Sequence, residues 1–334
     1  MIEHVFLPDL DLYTIDPRQA YREWLQRWLK EIERDLEDGN VASSLCLQGM
    51  MTELVLYKEL RYDWRAIFAH YLTDEAGNPL AYSEQYGQRL YRFDSQWRQT
   101  PVHAVHTRFW VDRVYDPSTA VKPHYVQLIE GWIQPSGWIY NRDVSYTHLR
   151  TRMKSEYLMS FAMGLEIVAA ADARTPREQR FTATVSSEPP TPYLSAEYFR
   201  LRALEQLGKP HLIPGTISAV IETCQAGAGY CDFAVSSKVD DYMGSAKRTG
   251  RDEAVHSPLA VLHAGYLARH CDTATQQAVR ERIAHFRQHL VEEPLDIPAF
   301  RIRDITFPFG TDISPLEIIA AAAIIQGLAE GKLQ

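Results

Sequence analysis

The residues best suited to chemistry lie together in one segment, from Lys238 to His256. An imidazole can exchange a proton near neutral pH, and a guanidinium can stabilise negative charge. An apolar stretch starting at Pro258 follows directly, and the N-terminus of the helix that it predicts would favour an anion. The segment contains acids, bases and one imidazole, namely Lys238, Asp240, Asp241, Lys247, Arg248, Arg251, Asp252, Glu253 and His256. We therefore predict that Arg251 and His256 face one cleft, and that they are catalytic together with Lys238 and Asp241.

Arg251 and His256 stand five positions apart in the stretch RDEAVH. This spacing is similar to the RxxxxH motif of HEPN-type ribonucleases. In that family a paired Arg and His cleave RNA without a metal, and the RNA 2′-hydroxyl is the nucleophile. The resemblance implies metal-independent cleavage of a phosphodiester, with Arg251 and His256 acting on it and Lys247 and Arg248 supplying positive potential.

A metal site is a second hypothesis. Glu253 and His256 have the ExxH spacing, which places a carboxylate and an imidazole together on a helix, as in carboxylate-bridged iron proteins. Glu166 and Glu317 each lie within an apolar helical stretch, and a buried carboxylate must be paired, protonated or metal-bound. We predict that both are buried with a polar partner. In this hypothesis Glu253, His256, Glu166 and Glu317 bind a divalent or iron ion in an oxidoreductase.

The overall composition limits the other functions. A net charge of -8 gives no general attraction to nucleic acid or to an anionic membrane, so nucleic acid would need a local basic patch. The four cysteines form no CxxC pair, which argues against a disulfide framework and favours a soluble, cytoplasmic protein. The many Tyr, Trp and Arg residues support a third hypothesis, a non-catalytic subunit that binds a protein partner or forms a homo-oligomer.

The elements that position these residues are predicted from hydrophobic periodicity. Apolar residues at three- and four-residue spacing predict a helix over 16–36, with Trp24, Leu25, Trp28 and Ile32 on its buried side. The region 102–140 is rich in Val, Ile, Trp and Tyr, which predicts antiparallel strands. His103 and His106 would then point to opposite faces of a strand and could not share a metal.

The resulting fold class is α+β, predominantly α-helical with a small antiparallel β-sheet. The sheet is predicted from 102–140, with further strands at 229–237 and 299–307. The Pro-rich stretch 174–192 is predicted to be a linker or crossover. It would separate a helical region with inserted strands, 1–175, from a mainly helical C-terminal region, 193–334.

Overall fold

The computed structural model describes residues 11–90, 102–137, 139, 154–171, 175–187, 194–209, 234–235, 255–256, 258–292 and 315–329. These residues are mainly helical. The helices are α1 (Gln19–Glu37), α2 (Ser43–Tyr57), α3 (Trp64–Tyr71), α4 (Glu84–Leu90), α5 (Val102–Tyr115), α6 (Pro123–Trp132), α7 (Lys154–Ala170), α8 (Pro176–Ser187), α9 (Leu194–Gln206), α10 (Pro258–Ala268), α11 (Thr273–Glu292) and α12 (Pro315–Ala329).

The first predicted helix is confirmed. Helix α1 covers Gln19–Glu37, and Leu25, Trp28 and Ile32 are buried on its inner side. Trp24 is half-buried and packs against the same core. The amphipathic pattern thus identifies a helix that covers a larger apolar body.

The predicted antiparallel sheet, and with it the α+β class, is wrong. The region 102–140 contains helices α5 and α6 instead of strands. Among the described residues, extended pairing beyond isolated bridges is limited to Ala234–Val235 with Val255–His256, two residues on each side, which does not constitute a sheet. The predicted strand 299–307 lies outside the described residues. Helix α5 is buried on most of its surface, so the β-branched and aromatic residues that favour strands serve here as core residues of a helix.

Six of the helices form a closed ring. Contacts run from α2 to α5, from α5 to α7, from α7 to α9, from α9 to α10, from α10 to α12, and from α12 back to α2. The remaining long helices pack outside this ring. Helix α1 lies against α2 and α12, α3 against α2 and α5, α6 against α7, α8 against α7 and α9, and α11 against α10 and α12. Ring helices and outer helices therefore alternate along most of the chain.

The burial pattern explains which helices form the ring. In α12 every residue from Leu316 to Ile325 is buried, and α2 is buried on nearly all sides. A helix that is apolar all round must be surrounded by protein, whereas an amphipathic helix such as α1 can face water. Because α12 packs against α1 and α2, the two ends of the described chain share one apolar core.

Two further sequence predictions concern the arrangement of the whole chain. The stretch 174–192 contains α8, which packs against α7 and α9; the division of the chain into two regions stays a prediction. In the part of the chain that the structure describes, no helix combines the length and the apolar composition needed to cross a membrane.

Replacement of Gly49 by Ala tests the packing of α2 against α3. A Cβ at Gly49 would clash with Cη2 of Trp64, whose side chain is fully buried. We expect Gly49→Ala to lower the free energy of unfolding by about 1–3 kcal/mol, measured by urea denaturation. Gly87 in α4 is the control, because a Cβ there meets no atom of the described residues within 4 Å. Gly87→Ala should leave stability unchanged or raise it by up to about 1 kcal/mol. Equal effects of the two changes would contradict the close packing.

Candidate functional site

Three ring helices carry polar and aromatic side chains one helical turn apart. Residues at i, i+3 and i+4 lie on the same face of a helix, so each set forms a continuous stripe. The stripes are His106, Trp110 and Arg113 on α5, Tyr198, Arg202 and Glu205 on α9, and His263, Tyr266 and His270 on α10 and the turn after it. Together with Glu166 of α7 we call these residues the ring cluster.

Glu166 lies at the buried end of the ring cluster and is completely shielded from solvent. Its Oε2 atom lies 2.7 Å from Nε2 of His106, and its Oε1 atom accepts a hydrogen bond of 3.2 Å from Nη2 of Arg202. Since a carboxylate can only accept, Nε2 of His106 carries the proton. One side chain of α7 thereby joins α5 to α9.

The charge of Glu166 is maintained by these two partners. Burial alone would raise the pKa of the carboxyl group, but the charge of Arg202 and the hydrogen bond from His106 outweigh it and lower the pKa to about 2. Glu166 is therefore ionised at neutral pH. A buried, ionised carboxylate of this kind is stable only while both partners remain in place.

The stripes of α5 and α9 meet inside the ring. The ring of His106 lies edge-on to Phe199 at 5.6 Å, and the guanidinium of Arg202 lies 5.1 Å from the centre of the Trp110 ring. Helix α7 lies between α5 and α9 in the ring. These contacts between side chains of α5 and α9 therefore lie on the inner side of α7. Arg113 also lies 5.1 Å from the Trp110 ring, which brings a second guanidinium to the same indole.

Helix α10 joins the ring cluster through aromatic contacts. His263 stacks on Tyr198 at 4.3 Å, and Tyr266 meets Tyr198 edge-on at 5.1 Å. The hydroxyl of Tyr198 accepts a hydrogen bond of 2.8 Å from Arg202. Burial raises the pKa of Tyr198 to about 12, so its hydroxyl keeps its proton at neutral pH.

An imidazole–carboxylate pair forms the outer end of the ring cluster. Nε2 of His270 lies 2.9 Å from Oε1 of Glu205, and the hydroxyl of Tyr266 donates a hydrogen bond of 2.6 Å to Oε2. The side chains of His270 and Glu205 are 23% and 31% exposed, whereas Glu166 is not exposed at all. Solvent therefore reaches the cluster from the side of His270 and Glu205.

The cluster opens at the C-terminal ends of its helices. Arg113, Glu205 and Tyr266 belong to the last turn of α5, α9 and α10 respectively. We call this end the mouth of the ring. Its chemistry combines cations that can bind an anion, aromatic surfaces, and an oriented imidazole that can exchange a proton.

The segment predicted to be catalytic lies almost wholly outside the described residues. This applies to Lys238, Asp241 and Arg251, and also to Glu253. The backbone of Val255–His256, at the end of the segment, is described and pairs just before α10 with Ala234–Val235, which precede the segment in the chain. The shared cleft of Arg251 and His256 stays a prediction.

The predicted burial of Glu166 and Glu317 is confirmed, and each has a polar partner. Glu317 is 8% exposed, and its Oε2 accepts a hydrogen bond of 2.9 Å from the backbone N–H of Leu259 at the start of α10. Glu166 thus joins α7 to α5 and α9, whereas Glu317 joins α12 to α10. In the described part of the chain, no three His, Cys, Asp or Glu side chains group closely enough to hold a metal. The proposed ion site stays a prediction, and Glu166 could join it only by releasing Arg202 and His106.

Sequence reasoning missed the α5 part of the ring cluster because it assigned 102–140 to strands, and it missed the α9 and α10 parts because nothing in the sequence showed that those helices meet. On helix α5, His103 and His106 lie on neighbouring positions of one face, so the expectation of opposite faces is wrong. Burial and the nearby His106 lower the pKa of His103 to about 4. The signal that could have revealed the site is the helical spacing of His106, Trp110 and Arg113, matched by His263 and His270 seven positions apart.

A cleft beside α1 lies apart from the ring cluster and is lined by different types of residue. It has a volume of about 370 Å³ and lies between α1 and the residues that end and follow α2. Lys30, Glu33 and Arg61 line it, and Arg61 lies over the Tyr57 ring at 4.8 Å. Among the described residues no imidazole lines this cleft, and its charges are those of an ordinary solvated surface.

Removal of the charge of Glu166 tests the buried end of the cluster. Glu166→Gln leaves Arg202 buried without its carboxylate, so we expect the free energy of unfolding at pH 7 to fall by about 3 kcal/mol. Glu281→Gln, at an exposed position of α11, is the control and should change stability by less than about 0.5 kcal/mol.

The same variant tests the pH dependence of stability. The folded pKa of about 2 lies below the ordinary value of 4.5, so the contribution of Glu166 is present above pH 4.5 and is lost as the pH falls toward 2. Urea denaturation across this range should show a steeper loss for the wild type than for Glu166→Gln. Parallel pH profiles would show that Glu166 is not held ionised.

No protein-family model, no curated protein and no solved structure matches this chain. Its function has to be inferred from the side chains and their contacts.

Proposed function

We propose that the protein binds a small organic anion at the mouth of the ring and exchanges a proton with it through His270. The observation that carries this proposal is the placement of two guanidiniums, those of Arg113 and Arg202, against the single indole of Trp110. Arg202 is paired with Glu166. Among the described residues, no carboxylate lies within ion-pair distance of Arg113, whose hydrogen bond goes to the carbonyl of Pro117 at 3.4 Å. The charge of Arg113 is thus available to a ligand.

Trp110 supports the same conclusion. Its side chain is almost fully buried, and its Nε1 atom has no hydrogen-bond acceptor among the residues that the structure describes. A buried N–H without an acceptor costs about 1–3 kcal/mol, so this position favours an acceptor that comes from a ligand. An anionic oxygen beside Arg113 would meet this requirement.

The aromatic residues favour a ligand with a planar apolar part. The ring of Trp110 lies against both guanidiniums, the ring of Tyr198 lies 5.6 Å from that of Arg202, and Tyr266 packs edge-on against Tyr198. A site lined by aromatic rings with a few polar groups binds small organic molecules better than it binds hydrated inorganic ions.

The pair of His270 and Glu205 gives the mouth a group that can transfer a proton. Glu205 accepts from His270 and from Tyr266, which fixes the orientation of the imidazole, as a carboxylate does in catalytic Asp–His pairs. The negative charge of Glu205 is balanced when His270 is protonated.

The other functional hypotheses concern different parts of the molecule. Cleavage of RNA by Arg251 and His256 would take place near the N-terminal end of α10, and Tyr266 lies near the opposite end. Helix α10 has 11 residues, so its two ends are about 16 Å apart. RNA cleavage, metal-dependent oxidation and a role as a non-catalytic subunit remain separate predictions.

Benzoate, which combines a carboxylate with an aromatic ring, is the probe for this function. We expect isothermal titration calorimetry to show binding by the wild type and at least about tenfold weaker binding by Arg113→Gln, since a charge-assisted hydrogen bond is lost. Repeating the titration in buffers of different ionisation enthalpy should show proton uptake on binding. His270→Gln should abolish the uptake.

Arg280→Gln, at an exposed position of α11, is the matched control and should bind benzoate like the wild type. The indole N–H signal of Trp110 in a nitrogen–proton correlation spectrum, identified by its absence in Trp110→Phe, should move on addition of benzoate. Equal binding by Arg113→Gln and Arg280→Gln, together with an unmoved indole signal, would exclude an anion site at the mouth.

A further inference from the structure

A second group of charges surrounds Asp112 on the face of α5 opposite to the ring cluster. Its Oδ1 atom lies 3.1 Å from Nη2 of Arg108 and 3.5 Å from Nε of Arg65. Its Oδ2 atom lies 3.2 Å from Nε of Arg108 and 3.5 Å from Nζ of Lys122. Three cations from α3, α5 and the start of α6 thus share one carboxylate.

These cations are held in fixed positions. Arg65 lies over the Tyr115 ring at 4.6 Å, Arg108 over the Phe68 ring at 5.2 Å, and Lys122 over the Tyr125 ring at 5.4 Å. Nη2 of Arg65 also donates a hydrogen bond of 2.7 Å to the backbone carbonyl of Asp112. The arrangement exists before any ligand binds, which lowers the entropic cost of binding one.

The group carries two positive charges in excess of what Asp112 can neutralise. The side chains of Arg65 and Lys122 are 38% and 45% exposed, so a ligand can reach them. The nearby carboxylate of Asp116 accepts hydrogen bonds of 3.0 and 2.6 Å from the backbone N–H and the hydroxyl of Ser118. Its charge also interacts with that of Arg65, so one positive charge stays in excess over the two carboxylates. On a chain with a net charge of -8, such a local excess is unusual.

The position of Lys122 adds an electrostatic reason for an anion. Lys122 is the N-cap of α6, and its own side chain makes no capping hydrogen bond. A cation next to the positive end of a helix dipole is unfavourable, whereas an anion there is stabilised. Asp112 offsets only one of the three cations, so a second anion at this place would reduce the repulsion that remains among them.

We propose that Arg65, Arg108 and Lys122 form a binding site for the phosphate group of a small molecule, with Asp112 holding the three cations in place. Guanidiniums match the geometry of phosphate oxygens, and a lysine adds a mobile point charge. The cations converge on one carboxylate instead of following a track, which suits a single phosphate better than a nucleic-acid backbone. This site is separate from the mouth of the ring and does not depend on the function proposed there.

Titration of the full chain with inorganic phosphate at constant ionic strength tests the site by calorimetry. We expect the wild type to bind phosphate and Lys122→Gln to bind it about tenfold more weakly, as the loss of one charge-assisted contact predicts. Because Lys122 is half exposed, its replacement should leave the free energy of unfolding without phosphate unchanged. Arg65→Gln is a second variant that should weaken binding by a similar factor.

Two variants serve as controls and separate this site from the mouth. Arg280→Gln and Arg113→Gln should both bind phosphate like the wild type. No phosphate binding by the wild type, or equal binding by Lys122→Gln and Arg280→Gln, would overturn the proposal. A short single-stranded RNA that binds more tightly than phosphate, and loses affinity in Lys122→Gln, would overturn the assignment to a small molecule in favour of a nucleic acid.

Discussion

The buried negative charge of Glu166 is the constraint on which the ring interior depends. An unpaired carboxylate in a protein interior costs several kcal/mol, roughly, so Arg202 and His106 must stay in contact with it. Because these residues come from α9 and α5, the charge fixes the register of three ring helices. Arg202 also contacts Trp110 and Tyr198, and through Tyr198 the constraint extends to α10.

Part of this fold can be predicted from the sequence, for physical reasons. Helix α1 was predictable because one face meets water and the apolar spacing is visible. Helix α5 was mistaken for a strand because a helix surrounded by protein loses that contrast, and its Val, Phe and Trp residues are typical of strands. Helix α6 was mistaken for a strand because it is short and rich in Tyr, Val, Ile and Trp. Closure of the ring could not be predicted, since it joins α12 to α2 across most of the chain.

The same limits apply to the candidate site. Burial of Glu166 was predictable, because a charged residue within an apolar helix has to be buried with a partner. Its partners were not, because His106 and Arg202 are distant in sequence and meet only through the ring. The segment from Lys238 to His256 was predicted to form the site because it contains many charged residues close together in sequence. A high number of charged residues in one stretch of sequence does not show which of them lie together in the folded protein. Residues three or four positions apart on a helix, by contrast, are known to lie on one face.

A double-mutant cycle on Glu166 and Arg202 tests most directly whether one charge network joins the ring helices. Glu166→Gln, Arg202→Met and the double variant are compared with the wild type by urea denaturation at pH 7. Residues within one buried network should show a coupling energy of about 2–3 kcal/mol, with the double variant more stable than the sum of the single losses predicts. Additive losses, with a coupling below about 0.5 kcal/mol, would show that the two residues act independently and would contradict this account.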